Sequence, residues 1–284
     1  MSQNLKQRLY YSSLGIPLLI FLISFSHYSF FRPLFSLAIS ATVGISVWEY
    51  YQMGKAKGFQ PLATVGIVFS VLYVYSVFLS TQLQDAQILP ELTLWITLLT
   101  LFIYSLYGGA FPFINLAITL FGMAYLAIPL SYTLSINYFP FNGAEDGRWW
   151  LFYLLLVTKS TDTGAFFIGK LFGKYRMVPY ISPKKTWEGA WGGLFTSVAI
   201  SIIFYLCLHL LFPKSPITLS GWESIWLACL ISTLAQIGDL AESLLKRDTG
   251  IKDSNQLPGL GGMLDMVDSL IFTLPLLYIF LKIH

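Results

Sequence analysis

Charge is what this chain has least of. Only 11% of its residues are Asp, Glu, Lys or Arg, whereas 56% are hydrophobic and the mean hydropathy is +0.67. That balance is too apolar for a water-soluble domain of 284 residues. Cysteine is nearly absent as well. Cys207 and Cys229 both fall inside apolar runs, which excludes a disulfide framework. No internal repeat is visible, so an inverted-repeat transporter has no direct support. No small-x-small cleavage site follows the first apolar run before His27, so that run reads as a retained helix rather than a signal peptide. The net charge of +3 is modest, and no nucleic-acid partner is expected.

Long apolar runs fill the space those absences leave. A spanning helix needs about 20 mostly apolar residues. Nine stretches approach that: Leu9–Ser26, Leu34–Tyr51, Pro61–Ser80, Leu92–Tyr107, Phe111–Leu130, Trp149–Ile168, Gly189–Phe212, Trp222–Leu240 and Met266–Leu281. They predict an all-α, polytopic integral membrane protein with about nine transmembrane helices, forming one domain over residues 1–284. With the N-terminus in the cytoplasm, Lys6, Arg8, Lys55, Lys57, Lys170, Lys174, Arg176, Lys184, Lys185, Lys246, Arg247 and Lys252 fall on the inner side. Arg32, Arg148, Lys214 and Lys282 fall outside, as the positive-inside rule requires. Nine spans then leave the C-terminus outside.

The two halves differ in chemistry. In the first, the one intramembrane charge is Glu49, read as an interfacial residue paired with Lys55 or Lys57. The second half, about 149–284, carries the motifs. Lys159 and Asp162 share a helix face in the sixth span, either as an internal pair or as the polar wall of a cavity that Ser160, Thr161 and Thr163 extend. Pro183 should break regular structure ahead of Lys184 and Lys185. Thr186 then suits the N-cap of the seventh span, with Glu188 in its first turn, and two lysines at a helix N-terminus suit phosphate. Gly189 and Gly193 allow another helix to approach closely.

The stretch from Gly238 to Ser269 concentrates six acidic and three basic residues between two apolar spans. Asp239, Glu242 and Lys246 fall on one stripe of a helix, and Asp265 and Asp268 repeat the three-residue spacing. Gly259, Gly261 and Gly262 permit a tight fold-back between them. Salt bridges would account for some of these acids. Four carboxylates beside a glycine loop and three cations point further, to Mg²⁺ held together with substrate phosphates.

These segments resemble a known family. STDTGAFFIGKLFGK, SPKKTWEG, GDLAESLLKR, SLLKRDTGIKDS and PGLGGMLDMVDS occur in the order found in phosphatidate cytidylyltransferases (CDP-diacylglycerol synthases). The chain departs from that pattern in having Leu260 where the family has His, Met266 where it has Arg, and a loop one residue shorter between Asp253 and Pro258. The resemblance implies transfer of CMP from CTP to phosphatidic acid, giving CDP-diacylglycerol and pyrophosphate at a bacterial inner membrane, with the site facing the cytoplasm. It implies Mg²⁺, as one or two ions, on Asp239 and Asp265, with Asp268 and Glu242 in or near the shell. Lys184, Lys185, Lys246, Arg247 and Lys252 would hold the phosphates, with Lys246 and Lys252 counted among the catalytic groups. Ser160, Asp162 and Ser182 would line the site, and a homodimer fits the glycine-bearing helices. Rival readings are a CTP-using polyprenol or phytol kinase, a cytidylyltransferase for another lipid, and a transporter or scaffold.

Overall fold

In a bilayer every backbone N–H and C=O must find a partner within the protein, which leaves long helices as the way to cross. The computed structural model describes residues 19–107, 111–141, 145–212, 216–250 and 262–284. After a helical run at 19–25 come α1 (Phe31–Ala56), α2 (Ala63–Gln82), α3 (Leu89–Leu106) and α4 (Pro112–Asn137). Then follow α5 (Gly147–Phe172), a hairpin of β1 (Arg176–Val178) and β2 (Ser182–Thr186), α6 (Trp187–Leu211), α7 (Gly221–Asp248), α8 (Met263–Val267) and α9 (Leu270–Ile283). Counting α8 and α9 as one, eight spans among the described residues are long and apolar enough to cross a membrane. Most of the predicted first span, with Lys6 and Arg8, lies outside the described residues, as does Lys214.

Helix α4 is not regular throughout. A π-helical turn, Met123–Ala127, interrupts it just before Pro129. Proline lacks an N–H and crowds the carbonyl four residues back, and the wider turn relieves both. Hydroxyls buried in the spans bond back to their own helix: Ser46 donates to the Thr42 carbonyl at 2.8 Å, and Thr161 to that of Val157 at 2.9 Å.

The core runs through the centre of the bundle. Trp150, Tyr153 and Val157 of α5 meet Leu227 and Ile231 of α7 and Leu274 and Leu277 of α9 in one buried cluster. Helix α3 buries only Thr97 and Leu101, and turns Trp95, Leu99, Phe102 and Leu106 outward. Such an apolar rim would be a liability in water and is ordinary against lipid tails. Cys207 and Cys229 are free thiols in α6 and α7, as expected.

The most extensive helix pair is α5 with α6. A Cβ on Gly193 would sit 2.8 Å from the Thr161 carbonyl oxygen, so these backbones approach as closely as the glycine spacing predicts. The hairpin between them is one departure from an all-helical reading. Pro183 does not break structure there; it sits within β2, at the edge of a two-stranded sheet, where a missing N–H is tolerated.

The two ends of the bundle differ. At one end Arg32 bonds Gln82, and Asp146 pairs with Arg148. At the other, Lys57 after α1 meets Asp248 at the end of α7 at 2.5 Å, near the hairpin and α8. The second end carries the motifs.

Candidate active site

Helix α7 has 28 residues, about 42 Å at ~1.5 Å per residue, against a hydrocarbon core of roughly 30 Å. Its last three turns therefore project toward the headgroups, which lowers the cost of their charges. Asp239, Glu242 and Lys246 lie on these turns. Helix α8 returns antiparallel to them, and Gly238 lets the chains touch: a Cβ there would stand 2.3 Å from the Asp268 carbonyl oxygen.

This crossing brings Asp239, Glu242 and Asp268 together, one carboxylate oxygen from each lying within 4.8 Å of the others. Glu242 and Asp268 are buried and Asp239 is partly exposed. Oxygen-only donors, two of them buried and one facing solvent, fit a hard divalent cation that keeps some of its waters. Lys246, itself 9% exposed, reaches Glu242 at 2.8 Å and also pairs with Asp265. Asp265 therefore stands beside the three-carboxylate group, in contact with the ammonium that also holds Glu242. Asp268 Oδ1 accepts from the Ser269 N–H at 2.5 Å.

Beside the carboxylates lies a cleft of about 520 Å³. Its walls include Asp162 and Lys170 of α5, Ser182, Lys184 and Lys185 of β2, and Gln236 and Asp239 of α7. Lys185 Nζ reaches Asp239 Oδ2 at 2.5 Å, linking the hairpin to the carboxylates. Asp162 keeps its partner Lys159 at 3.5 Å while facing the cleft, but Thr161 and Thr163 do not extend that wall: their hydroxyls donate to the Val157 and Lys159 carbonyls. Ser160 is not among the lining residues; its hydroxyl donates to the Val157 carbonyl. Arg247 donates from Nε to the Ile181 carbonyl at 3.0 Å and tethers the hairpin turn. The Thr186 side chain accepts the Gly189 N–H at 3.2 Å as the expected N-cap, and Glu188 accepts the Tyr175 N–H, holding the entry to β1. Lys252, Asp253, Pro258, Gly259, Leu260 and Gly261 lie outside the described residues.

A narrower apolar groove adjoins the cleft and shares Met177, Ala190, Gln236 and Leu240 with it. Trp187, Trp191, Leu194 and Ile237 continue it along the outer faces of α6 and α7.

The sequence profile of the cytidylyltransferase family matches residues 6–284. The chain belongs to that family. Among its relatives, a phosphatidate cytidylyltransferase of Chlamydia pneumoniae is 33% identical over 299 residues, covering 99% of this chain and 92% of its own. One from Bacillus subtilis (strain 168) is 31% identical, covering 99% and 98%. One from Staphylococcus aureus (strain COL) is 37% identical over 174 residues, about three-fifths of each chain.

Lys170 and Gln236 line the cleft without a sequence signal of their own, Lys170 being one of many inner-side cations. The partner of Glu49 is neither Lys55 nor Lys57. Lys57 is taken by Asp248, and the Glu49 carboxylate accepts backbone N–H groups of Gly262, Met263 and Leu264 at 3.0, 3.2 and 2.8 Å.

Proposed function

We propose that this protein transfers CMP from CTP to phosphatidic acid, releasing pyrophosphate and forming CDP-diacylglycerol. The observation that carries the reading is a three-carboxylate group beside a lysine-lined cleft, in a chain whose full-length bacterial relatives are named phosphatidate cytidylyltransferases. Asp239, Glu242 and Asp268 are the residues to hold Mg²⁺, as one or two ions, and Asp265 stands next to them through Lys246. Bound there, the ion would neutralise charge on the triphosphate as pyrophosphate departs.

The lipid phosphate is already ionised at neutral pH, so its oxygen can attack the α-phosphorus without a protein nucleophile. The P–O bond to pyrophosphate breaks as the new one forms. The protein's part is to position the two phosphates and offset their charge. Lys184, Lys185 and Lys170 present ammonium groups to the cleft for the triphosphate, and Lys246 balances Glu242 and Asp265. Arg247 keeps the hairpin lysines in place. The adjoining groove supports a lipid substrate, with its chains among Trp187, Trp191, Leu194 and Ile237 while the phosphate meets the lysines.

The whole chain acts as a single transmembrane unit in a bacterial inner membrane, with the catalytic part in about 149–284. Its cleft faces the cytoplasm and the C-terminus lies outside; with the first apolar run of the sequence, from Leu9, crossing as a ninth span, the N-terminus lies inside. Clustering of Lys170, Lys184, Lys185, Lys246 and Arg247 at the cleft end supports that orientation. The test is to incubate purified protein with phosphatidic acid, CTP and Mg²⁺ in detergent. Equal amounts of CDP-lipid and pyrophosphate, absent with Asp268→Asn or a chelator, are expected. CDP in place of pyrophosphate would identify a lipid kinase and overturn the reading.

A further inference from the structure

Glu49 lies in the half of the sequence without recognisable motifs, yet it is fully buried at the start of the helix that carries Asp265 and leads into Asp268. The first N–H groups of any helix have no partner within it. In α8 the Glu49 carboxylate takes three such donors: Oε1 accepts from Gly262 and Met263, and Oε2 from Leu264. A negative charge at this end also complements the helix dipole. Gly262 enters the helix with a φ of 108°, a backbone conformation open to glycine, and this aims its N–H at Glu49. Helix α8 packs more extensively against α1 than against α7, whose carboxylates complete the site. Helix α1 thus holds α8 from one side, while α9, which begins just after Asp268, packs against α7 and α4.

We propose that Glu49 is a positioning residue for the metal-binding carboxylates: by gripping the amides of 262–264 it holds α8 where Asp268 closes on Asp239 and Glu242. The inference rests on the reading of those three acids as a Mg²⁺ site. A carboxamide in place of the carboxylate keeps the size but loses the charge, and its NH₂ would face donors instead of accepting from them.

The experiment is calorimetric titration of Mg²⁺ alone into the purified full-length protein in detergent, comparing wild type with Glu49→Gln and Glu49→Asp. Turnover and thermal unfolding are measured on the same samples. For Glu49→Gln a Mg²⁺ affinity weakened about 10- to 100-fold is expected, the range seen when the outer partner of a metal ligand is removed. The half-activating Mg²⁺ concentration should rise in step, with the KM for CTP at saturating Mg²⁺ within about twofold of wild type. Glu49→Asp, which keeps the charge, should recover part of the affinity, and it carries the test alone if Glu49→Gln does not fold. Unchanged Mg²⁺ affinity in folded variants, with only a lower unfolding temperature, would reduce Glu49 to a structural role and overturn the proposal. No Mg²⁺ binding by the wild type would instead overturn the metal reading itself, and this inference with it.

Discussion

Replacing Gly238 by alanine puts a methyl carbon 2.3 Å from the carbonyl oxygen of Asp268 and 3.4 Å from the Ser269 Cα. Real Cβ contacts essentially never fall below 3.0 Å, so α7 and the α8–α9 turn must separate by at least 0.7 Å. The obstruction is backbone, and no side-chain rotation relieves it. Asp239 and Glu242 ride on one side of this contact and Asp268 on the other, so the shift opens the carboxylate group directly. A misplacement of about 1 Å can cost on the order of 100-fold in rate. Gly238→Ala should therefore lower kcat about 10- to 100-fold, with overpacking costing about 1–3 kcal/mol of stability. Pyrophosphate release under saturating CTP and lipid, paired with thermal unfolding in detergent, measures both. Gly221→Ala on the same helix is the control, since its Cβ would meet the Tyr205 ring at an ordinary 3.5 Å. A folded Gly238→Ala protein with wild-type turnover would refute the claim that this close approach sets the site.

Asp239→Asn and Asp268→Asn should each reduce turnover at least about 100-fold, the upper end of what losing an outer partner costs, and extra Mg²⁺ should restore little. Lys246→Met strands Glu242, whose side chain is 3% exposed, and should cost about 3–5 kcal/mol of stability. Adding Glu242→Met should recover most of that loss in an unfolding assay and none of the activity. At the opposite end, burial pushes the Asp146 carboxyl up, but hydrogen bonds from the Arg148 side chain and backbone, with the charges of Arg148 and His27, hold it below its ordinary 3.8. A carboxyl lowered by folding contributes stability above its unfolded value, and that stability fades as pH falls through the folded one. Asp146→Asn keeps a helix cap but loses the charge. It should lower the unfolding temperature at pH 7, by about 1 kcal/mol in stability, and the two proteins should converge below pH ~4.

Much of this arrangement is legible in the sequence because it is local. Apolar length marks the spans, and three-residue spacing places Asp239 with Glu242 on one face of α7. Spacing cannot set the register of two antiparallel helices. Asp265 and Asp268 are equivalent by spacing, and it takes the packing of α8 and its junction with α9, close against Gly238, to bring Asp268 to Asp239 and Asp265 to Lys246. Glu49 shows the same limit over a longer reach. Its nearest cations in sequence were the obvious partners, and its actual donors lie more than 200 residues away. Proline usually interrupts regular structure, but Pro183 sits in an edge strand that has no use for the N–H it lacks.

That long reach also bears on how the protein is made. Gly262 leaves the ribosome 213 residues after Glu49, an interval of roughly 10–40 s at about 5–20 residues per second. Throughout it, the second span waits in the bilayer with a carboxylate whose donors have not been synthesised. The α1–α8 junction, and with it the carboxylate group, cannot assemble until residues 262–268 have been made, so a nascent chain that stops short of them has Asp239 and Glu242 without Asp268.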